Sequence, residues 1–349
     1  WALEAPPAAP CDRGFYAQSI TGNGNKNFAG LSINNANGVQ VTNGTGAVDA
    51  SVAGLLTLNT DLTVAAGAIL QQSGTSTGIA DVLGIVRRTD LGVTERVFGN
   101  LNNSITINSG TPPTQLDFNL VKAAPPTFPS TVKVVPRDIT ITPTGGSGIS
   151  ATMKLRYIDP TELTGAGITE SRLVLWKNVG GTTWTPQGGT PDTAANFVSN
   201  SGISSFSEWA IAEASDLTLS KANNVSGSAV VGQSWNWTLT AANTGAPATF
   251  TAGQTILSDN LPNSNVNYGT PTVQNVSNIT GSANISCSIV SNDLTCVANG
   301  GNVTFDSNLG ASNFDVVFSA TPQAAGSYQN PRTGGGIAKI DPNLVIVES

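Results

Sequence analysis

Between residues 21 and 110 the chain repeats one short phrase: a brief apolar run, then Asn and Gly. Leu31-Ser-Ile33, Val39-Gln-Val41, Leu55-Leu-Thr-Leu58, Leu62-Thr-Val64 and Ala68-Ile-Leu70 recur roughly every seven to nine residues. Alternate apolar residues bury one face of a short strand. This spacing is too short for a whole solenoid coil, but it suits one side of a three-sided coil with Asn and Gly at the corners. The segment is therefore expected to be a β-solenoid-like ladder. A plain β-sandwich is the second reading.

The flanking segments differ in character. Residues 1–20 read as an N-terminal extension, stiffened by Ala5-Pro-Pro-Ala-Ala-Pro10. Residues 111–213 carry Pro-rich punctuation and longer alternating runs, among them Thr131–Val135, Asp138–Thr142, Ala151–Tyr157 and Arg172–Trp176. Period-two alternation means one buried face, so a β-sandwich is expected, with Trp176, Trp184, Phe206 and Trp209 filling it. Residues 214–349 place strands about ten residues apart, the spacing of an immunoglobulin-like sandwich. The whole chain reads as all-β.

Composition removes several classes of function. There is no histidine, which rules out Ser-His-Asp and Cys-His catalysis and histidine-based metal sites. Charged residues make up 11% of the chain and the net charge is −7. No basic face suits nucleic acid; Arg87-Arg88 read as solvated strand-end residues. No apolar run is long enough to span a membrane. The chain begins at Trp1, read as a mature end left after an export signal is removed. Glu95, Asp117, Asp159, Glu162, Glu170 and Glu208 are formal candidates for a glycosidase pair, and solvated loop carboxylates are the default. No cofactor is expected. Calcium is the one ion the residues suit, through Asp12, Asp49, Asp61 and Asp81 beside turns, although no Asp-x-Asp-x-Asp-Gly loop is present.

Cys287 and Cys296 flank a turn signal at Ser291-Asn292. Counting pairs outward from that turn puts them opposite one another at a non-hydrogen-bonded site, about 4.5 Å between α-carbons and within disulfide range. A bridge and an oxidising compartment are expected; two reduced, buried thiols are the other reading. Cys11 is then left free or paired between molecules. Sequons occur at Asn43, Asn102, Asn224 and Asn236 and cluster at Asn275, Asn278, Asn284 and Asn302, the first place to look for glycans.

Two stretches carry a resemblance. Residues 170–213, from Glu-Ser-Arg-Leu-Val-Leu-Trp-Lys to Phe-Ser-Glu-Trp-Ala-Ile-Ala-Glu, resemble a region of large bacterial surface proteins that follows Asn/Gly-rich ladders. Residues 215–349 are similar to the conserved-repeat β-sandwich family of bacterial and archaeal surface proteins. That likeness rests on Asp216-Leu-Thr-Leu, Gly232-Gln-Ser-Trp-Asn-Trp-Thr, Ala242-Asn-Thr-Gly245, Asp259-Asn-Leu-Pro262 and Asp341-Pro-Asn343. The resemblance implies a cell-surface stalk, fibre or envelope component, with no catalytic residues to carry over. In that family one more strand follows the final segment, whereas this chain stops at Glu348-Ser349. A sandwich one strand short is expected to accept a strand from a neighbour and polymerise head to tail. Ala2, Leu3, Phe15, Tyr16 and Ile20 would lie on the donor arm, and Leu344, Val345, Ile346 and Val347 on a pairing strand. The alternative is an adhesin that binds glycans or cells, marked by Trp235 and Trp237 on one face; packing of that pair in the core is the other reading.

Overall fold

The computed structural model describes residues 2–3, 18–22, 24–44, 48–226, 228–306 and 311–348. Nearly all regular structure is strand. The chain divides into two units, Trp1–Pro129 with Lys133–Ala212, and Ser130–Val132 with Glu213–Ser349.

Unit 1 begins with β1 (Ala2–Leu3) and three stacked coils. The first coil is β2 (Gln18–Ile20), β3 (Lys26–Phe28) and β4 (Leu31–Ile33). The second is β5 (Val39–Val41), β6 (Ala50–Val52) and β7 (Leu56–Leu58). The third is β8 (Leu62–Val64), β9 (Leu70–Gln72) and β10 (Ser76–Gly78). Each strand pairs in parallel with its counterpart one coil away, as in Val39↔Leu62, Ala50↔Leu70 and Leu31↔Leu56. Each triplet is thus one side of a three-sided coil. The inward residues form aliphatic ladders such as Val41 with Val64 and Ile33 with Leu58. The corners require glycine where coils touch: a Cβ on Gly74 would sit 1.8 Å from the Gly54 carbonyl oxygen, and one on Gly54 2.1 Å from that of Ala29.

The solenoid passes into a sandwich without a break. β11 (Val82–Arg88) bends at Gly84, whose φ is +106°, and serves two sides of the stack. Val82 and Leu83 pair with β8, and Val86 and Arg87 with β9. The other edge of β11 pairs antiparallel with a strand further along the chain. The remaining strands are β12 (Arg96–Phe98), β13 (Asn100–Thr111), β14 (Gln115–Val121), β15 (Asp138–Thr144), β16 (Ser147–Arg156), β17 (Leu173–Asn178), β18 (Trp184–Gly188), β19 (Thr190–Asp192), β20 (Phe197–Ile203) and β21 (Glu208–Glu213). One sheet runs from β3 through β6, β9, β11, β14, β15, β21 and β17 to β18; the second has the order β12-β13-β16-β20-β19. Ladder and sandwich residues share one core, from Ile20 and Leu31 to Phe118, Tyr157 and Trp209.

Two expectations are corrected here. No boundary falls between residues 110 and 111, because β13 runs through it and pairs with β16 on both sides. The stretch 131–135 is not a strand; Val134 alone bridges to Ala212. Trp176 and Trp184 are both buried and pack edge-on against Phe128 at ring separations of 5.5 and 4.9 Å.

Unit 2 is a β-sandwich of β22 (Leu217–Asn223), β23 (Trp235–Asn243), β24 (Ala248–Phe250), β25 (Thr255–Asn260), β26 (Val266–Tyr268), β27 (Thr272–Ser277), β28 (Ile279–Thr280), β29 (Ile285–Val290), β30 (Asp293–Ala298), β31 (Val303–Phe305), β32 (Ser312–Pro322) and β33 (Lys339–Ile340). One sheet has the order β22-β23-β32, with β26 and β27 both on the far edge of β32. The others are β29-β30-β25-β33 and β24-β31-β28. Leu239, Phe250, Phe305, Phe314 and Phe318 fill the space between them.

Residues Leu344–Val347 do not form the expected pairing strand. The Asp341 carboxylate accepts the backbone N–H groups of Val345 and Ile346 at 3.0 and 2.8 Å, and Leu344 has φ of +53°. That local turn competes with an extended strand. Beyond the turn the chain pairs with itself, through a parallel bridge between Glu348 and Ser215.

Candidate functional site

The most concentrated charge in unit 1 is buried where ladder and sandwich meet. Asp81 immediately precedes β11, and its backbone N–H donates to Asp61 Oδ1 at 2.9 Å. Asp81 Oδ2 receives Arg137 Nη2 at 2.7 Å, Arg156 Nη1 at 2.8 Å and, less closely, Lys122 Nζ at 3.4 Å. Lys122 also reaches Asp61 Oδ2 at 2.6 Å, and Arg137 Nε reaches Glu162 Oε2 at 2.7 Å. The side chains of Asp81 and Arg137 are wholly inaccessible. Three carboxylates face three cations, so the formal charge cancels. Burial pushes the Asp81 carboxyl up, but the guanidiniums of Arg137 and Arg156 outweigh it and hold the group below its usual range. The cluster ties coil three to both sheets of the sandwich.

The candidate glycosidase carboxylates are dispersed. Glu162 belongs to the buried network. Asp117 pairs bidentately with Arg87, Glu95 meets Ser104 and Lys154, and Glu170 accepts from the Tyr157 hydroxyl. Asp159 is exposed. Glu208 accepts from Asn178 Nδ2 at 2.6 Å and lies beside Asp138. Burial first, then the Glu208 charge, push the Asp138 carboxyl up to about 6. Of the calcium candidates, Asp49 accepts the backbone N–H groups of Gly44 and Ile69, and Asp61 and Asp81 meet cations; Asp12 lies outside the described residues. Arg88 corrects its reading as solvated. It is 1% exposed, and its guanidinium donates to the carbonyls of Ser73, Gly74 and Val97 as well as to Asp90.

Unit 2 contains the disulfide. Cys287 and Cys296 are register partners on β29 and β30, bridged with α-carbons 4.0 Å apart. Ser291 and Asn292 form the turn with φ of +50° and +63°, a conformation that suits a two-residue hairpin. The four clustered sequons line one region. Asn275 and Asn302 are exposed, whereas Asn278 and Asn284 are half-buried. The side-chain amides of Asn275, Asn278 and Asn284 donate to Asp315, Ala311 and Asn302.

Trp235 and Trp237 line a cavity of about 490 Å³ with Tyr328, Val225, Val231 and Asn223. Trp235 is 9% exposed and Trp237 half-buried, so the pair is both core and wall. Tyr328 contributes a ring from a loop that the sequence does not single out.

The expected donor arm is tied to its own chain at both ends. Ala2 and Leu3 pair in parallel with Ser32 and Ile33, and Ile20 is buried in the first coil opposite Val41. Cys11, Phe15 and Tyr16 lie outside the described residues. Against known proteins, the chain matches no family model, no curated protein and no solved structure.

Proposed function

We propose that this chain is an extracellular structural subunit of a surface filament or cell-envelope layer, its copies joined by β-strand addition. The observation that carries this reading is the edge of β29. Among the described residues β29 is paired on one side only, with β30. A groove of about 520 Å³ borders it, walled by Val266–Pro271 across from Cys287, Ser288 and Ile289. Cys287 and Ile289 occupy non-hydrogen-bonded sites towards β30, so their N–H and C=O groups point to the free side. An added strand would satisfy them. The edge differs from the one the sequence suggests, and Ala2, Leu3 and Ile20 of the expected arm pair within their own chain. The disulfide suits the role by holding an edge strand to its single neighbour in an oxidising space.

Light scattering of the purified chain, with negative-stain microscopy, tests this. Wild type should form concentration-dependent oligomers. Ile289→Pro removes an outward N–H without breaking the hairpin ladder, and should remain monomeric. A folded wild type that stays monomeric at every concentration overturns the reading.

The Trp235/Trp237/Tyr328 cavity favours a second reading, a glycan-binding adhesin. Aromatic faces beside the Asn223 amide suit a sugar ring. Glycan-array binding that disappears with Tyr328→Ala would support it, and an array without signal would remove it.

A further inference from the structure

Lys221 occupies an unusual position for a lysine. On β22 it shares the inward face with Leu217 and Leu219, and it points at β25 of the opposite sheet. Its Nζ is hydrogen-bonded to Asp259 Oδ2. The Asp259 side chain is wholly inaccessible and that of Lys221 is 18% exposed. Asn330, from the segment between β32 and β33, donates Nδ2 to the same Asp259 Oδ2 at 3.5 Å. Asp259 therefore sits between an amine and a carboxamide. The surroundings are aromatic: Lys221 Nζ is 4.8 Å from the centre of the Trp237 ring, and Tyr268, whose hydroxyl burial and the Asp259 charge push up, packs against the same core.

Among the described residues, two acceptors in this cluster have no partner, Asp259 Oδ1 and Asn330 Oδ1. A proton on Asp259 would turn one of them into a donor. The Lys221 ammonium is the natural source, because burial pushes it down against the pull of Asp259. Transfer within the pair replaces two buried charges with two neutral groups, which a low-dielectric site favours. The product is a free amine, a carboxylic acid and an uncharged carboxamide held together by the fold.

We propose that Lys221 and Asn330 become joined by an intramolecular isopeptide bond, with Asp259 carrying the proton. The Lys221 Nζ lone pair attacks Asn330 Cγ and forms the Nζ–Cγ bond. The Cγ–Nδ2 bond breaks and Nδ2 leaves as ammonia. Asp259 delivers a proton to the carboxamide and receives one from Nζ, so it ends as it began. No electrons are exchanged and no co-reactant is needed. Fixed neighbours supply the effective concentration that lets so inert an amide react. Asn330 is the acceptor rather than Asp259, because Asp259 Oδ2 is hydrogen-bonded to both Lys221 and Asn330 and so lies where the proton carrier must sit.

The bond would connect the first strand of unit 2 to the segment that leads into β33. Tension entering at β22 would pass to that segment through a covalent link rather than through sheet hydrogen bonds. The inference stands independently of the strand-addition reading.

Intact-mass spectrometry of the reduced, full-length chain decides it. Wild type should be about 17 Da lighter than its sequence mass, the loss of one ammonia. Trypsin should fail to cut after Lys221 and should yield a branched peptide joining it to Asn330. Asp259→Ala should keep its full sequence mass. Asn330→Asp should lose water instead, about 18 Da, which identifies the acceptor. A folded wild type at full sequence mass overturns the proposal. So does a wild type about 18 Da light in which Lys221 is joined to Asp259.

Discussion

Replacing Asp81 by Asn should unfold unit 1 selectively. Asp81 Oδ2 faces Arg137, Arg156 and Lys122 at 2.7, 2.8 and 3.4 Å, and Arg137 has no access to water. Removing one partner of a buried pair typically costs about 3–5 kcal/mol, because the remaining charge is stranded. With a urea dependence of about 3 kcal/mol/M for a unit of this size, the midpoint should fall by about 1–1.7 M. Tryptophan fluorescence can follow the change, since Trp176, Trp184 and Trp209 report on unit 1 and Trp235 and Trp237 on unit 2. The unit 2 transition should not move. Asp81→Asn combined with Arg137→Met removes both charges, though it leaves Glu162 without Arg137, and should recover part of the loss. The acid limb follows from the same group. The Asp81 carboxyl is held below its ordinary value of 3.8, so its contribution is complete above that pH and disappears as pH falls through the lower, folded value. A shift of less than about 0.3 M, the size expected for a solvated pair, would refute the argument. Failure of the double variant to recover would refute it as well.

Other perturbations have equally definite outcomes. Asp138 is raised to about 6, so between about pH 4 and 6 the folded state holds a proton that the unfolded chain lacks. Stability should therefore fall as pH rises through that window. Asp138→Asn should raise the unit 1 midpoint at pH 7.5 by the equivalent of about 1 kcal/mol, discounted because the group is partly solvated; no gain would contradict the like-charge account. Reduction of Cys287–Cys296 should lower the unit 2 transition by about 2–3 kcal/mol, the loop-closure value for so short a loop, as read by calorimetry with and without reductant. Gly74→Ala would press a methyl group onto the Gly54 carbonyl and should cost more than about 2 kcal/mol in unit 1, whereas Gly92→Ala, with open space around it, should be nearly neutral by the same calorimetry.

Local pattern carried the reading a long way. The triplets at Leu31, Val39, Leu56 and Leu62 name their strands because alternation and corner residues are short-range properties of the backbone. The Cys287–Cys296 pairing was legible because a two-residue turn fixes the register on both sides of it. Lys221, in step with Leu217 and Leu219, and Asp259, in step with Leu257, were not singled out, because neither position says what the other would meet.

What only the tertiary structure decided was which distant groups share a site. Arg137 and Asp81 are 56 residues apart, Lys221 and Asp259 are 38, and Asp259 and Asn330 are 71. Their neighbours depend on how β11 turns from the ladder into the sandwich and on how two sheets face each other. Those choices are made by burial of the whole core, which has no local signature. For the same reason the Pro-rich stretch near residue 111 looked like a boundary while β13 passed through it. The sequence by itself determined strands, corners and one hairpin; the assembled core determined which charges lie together out of water.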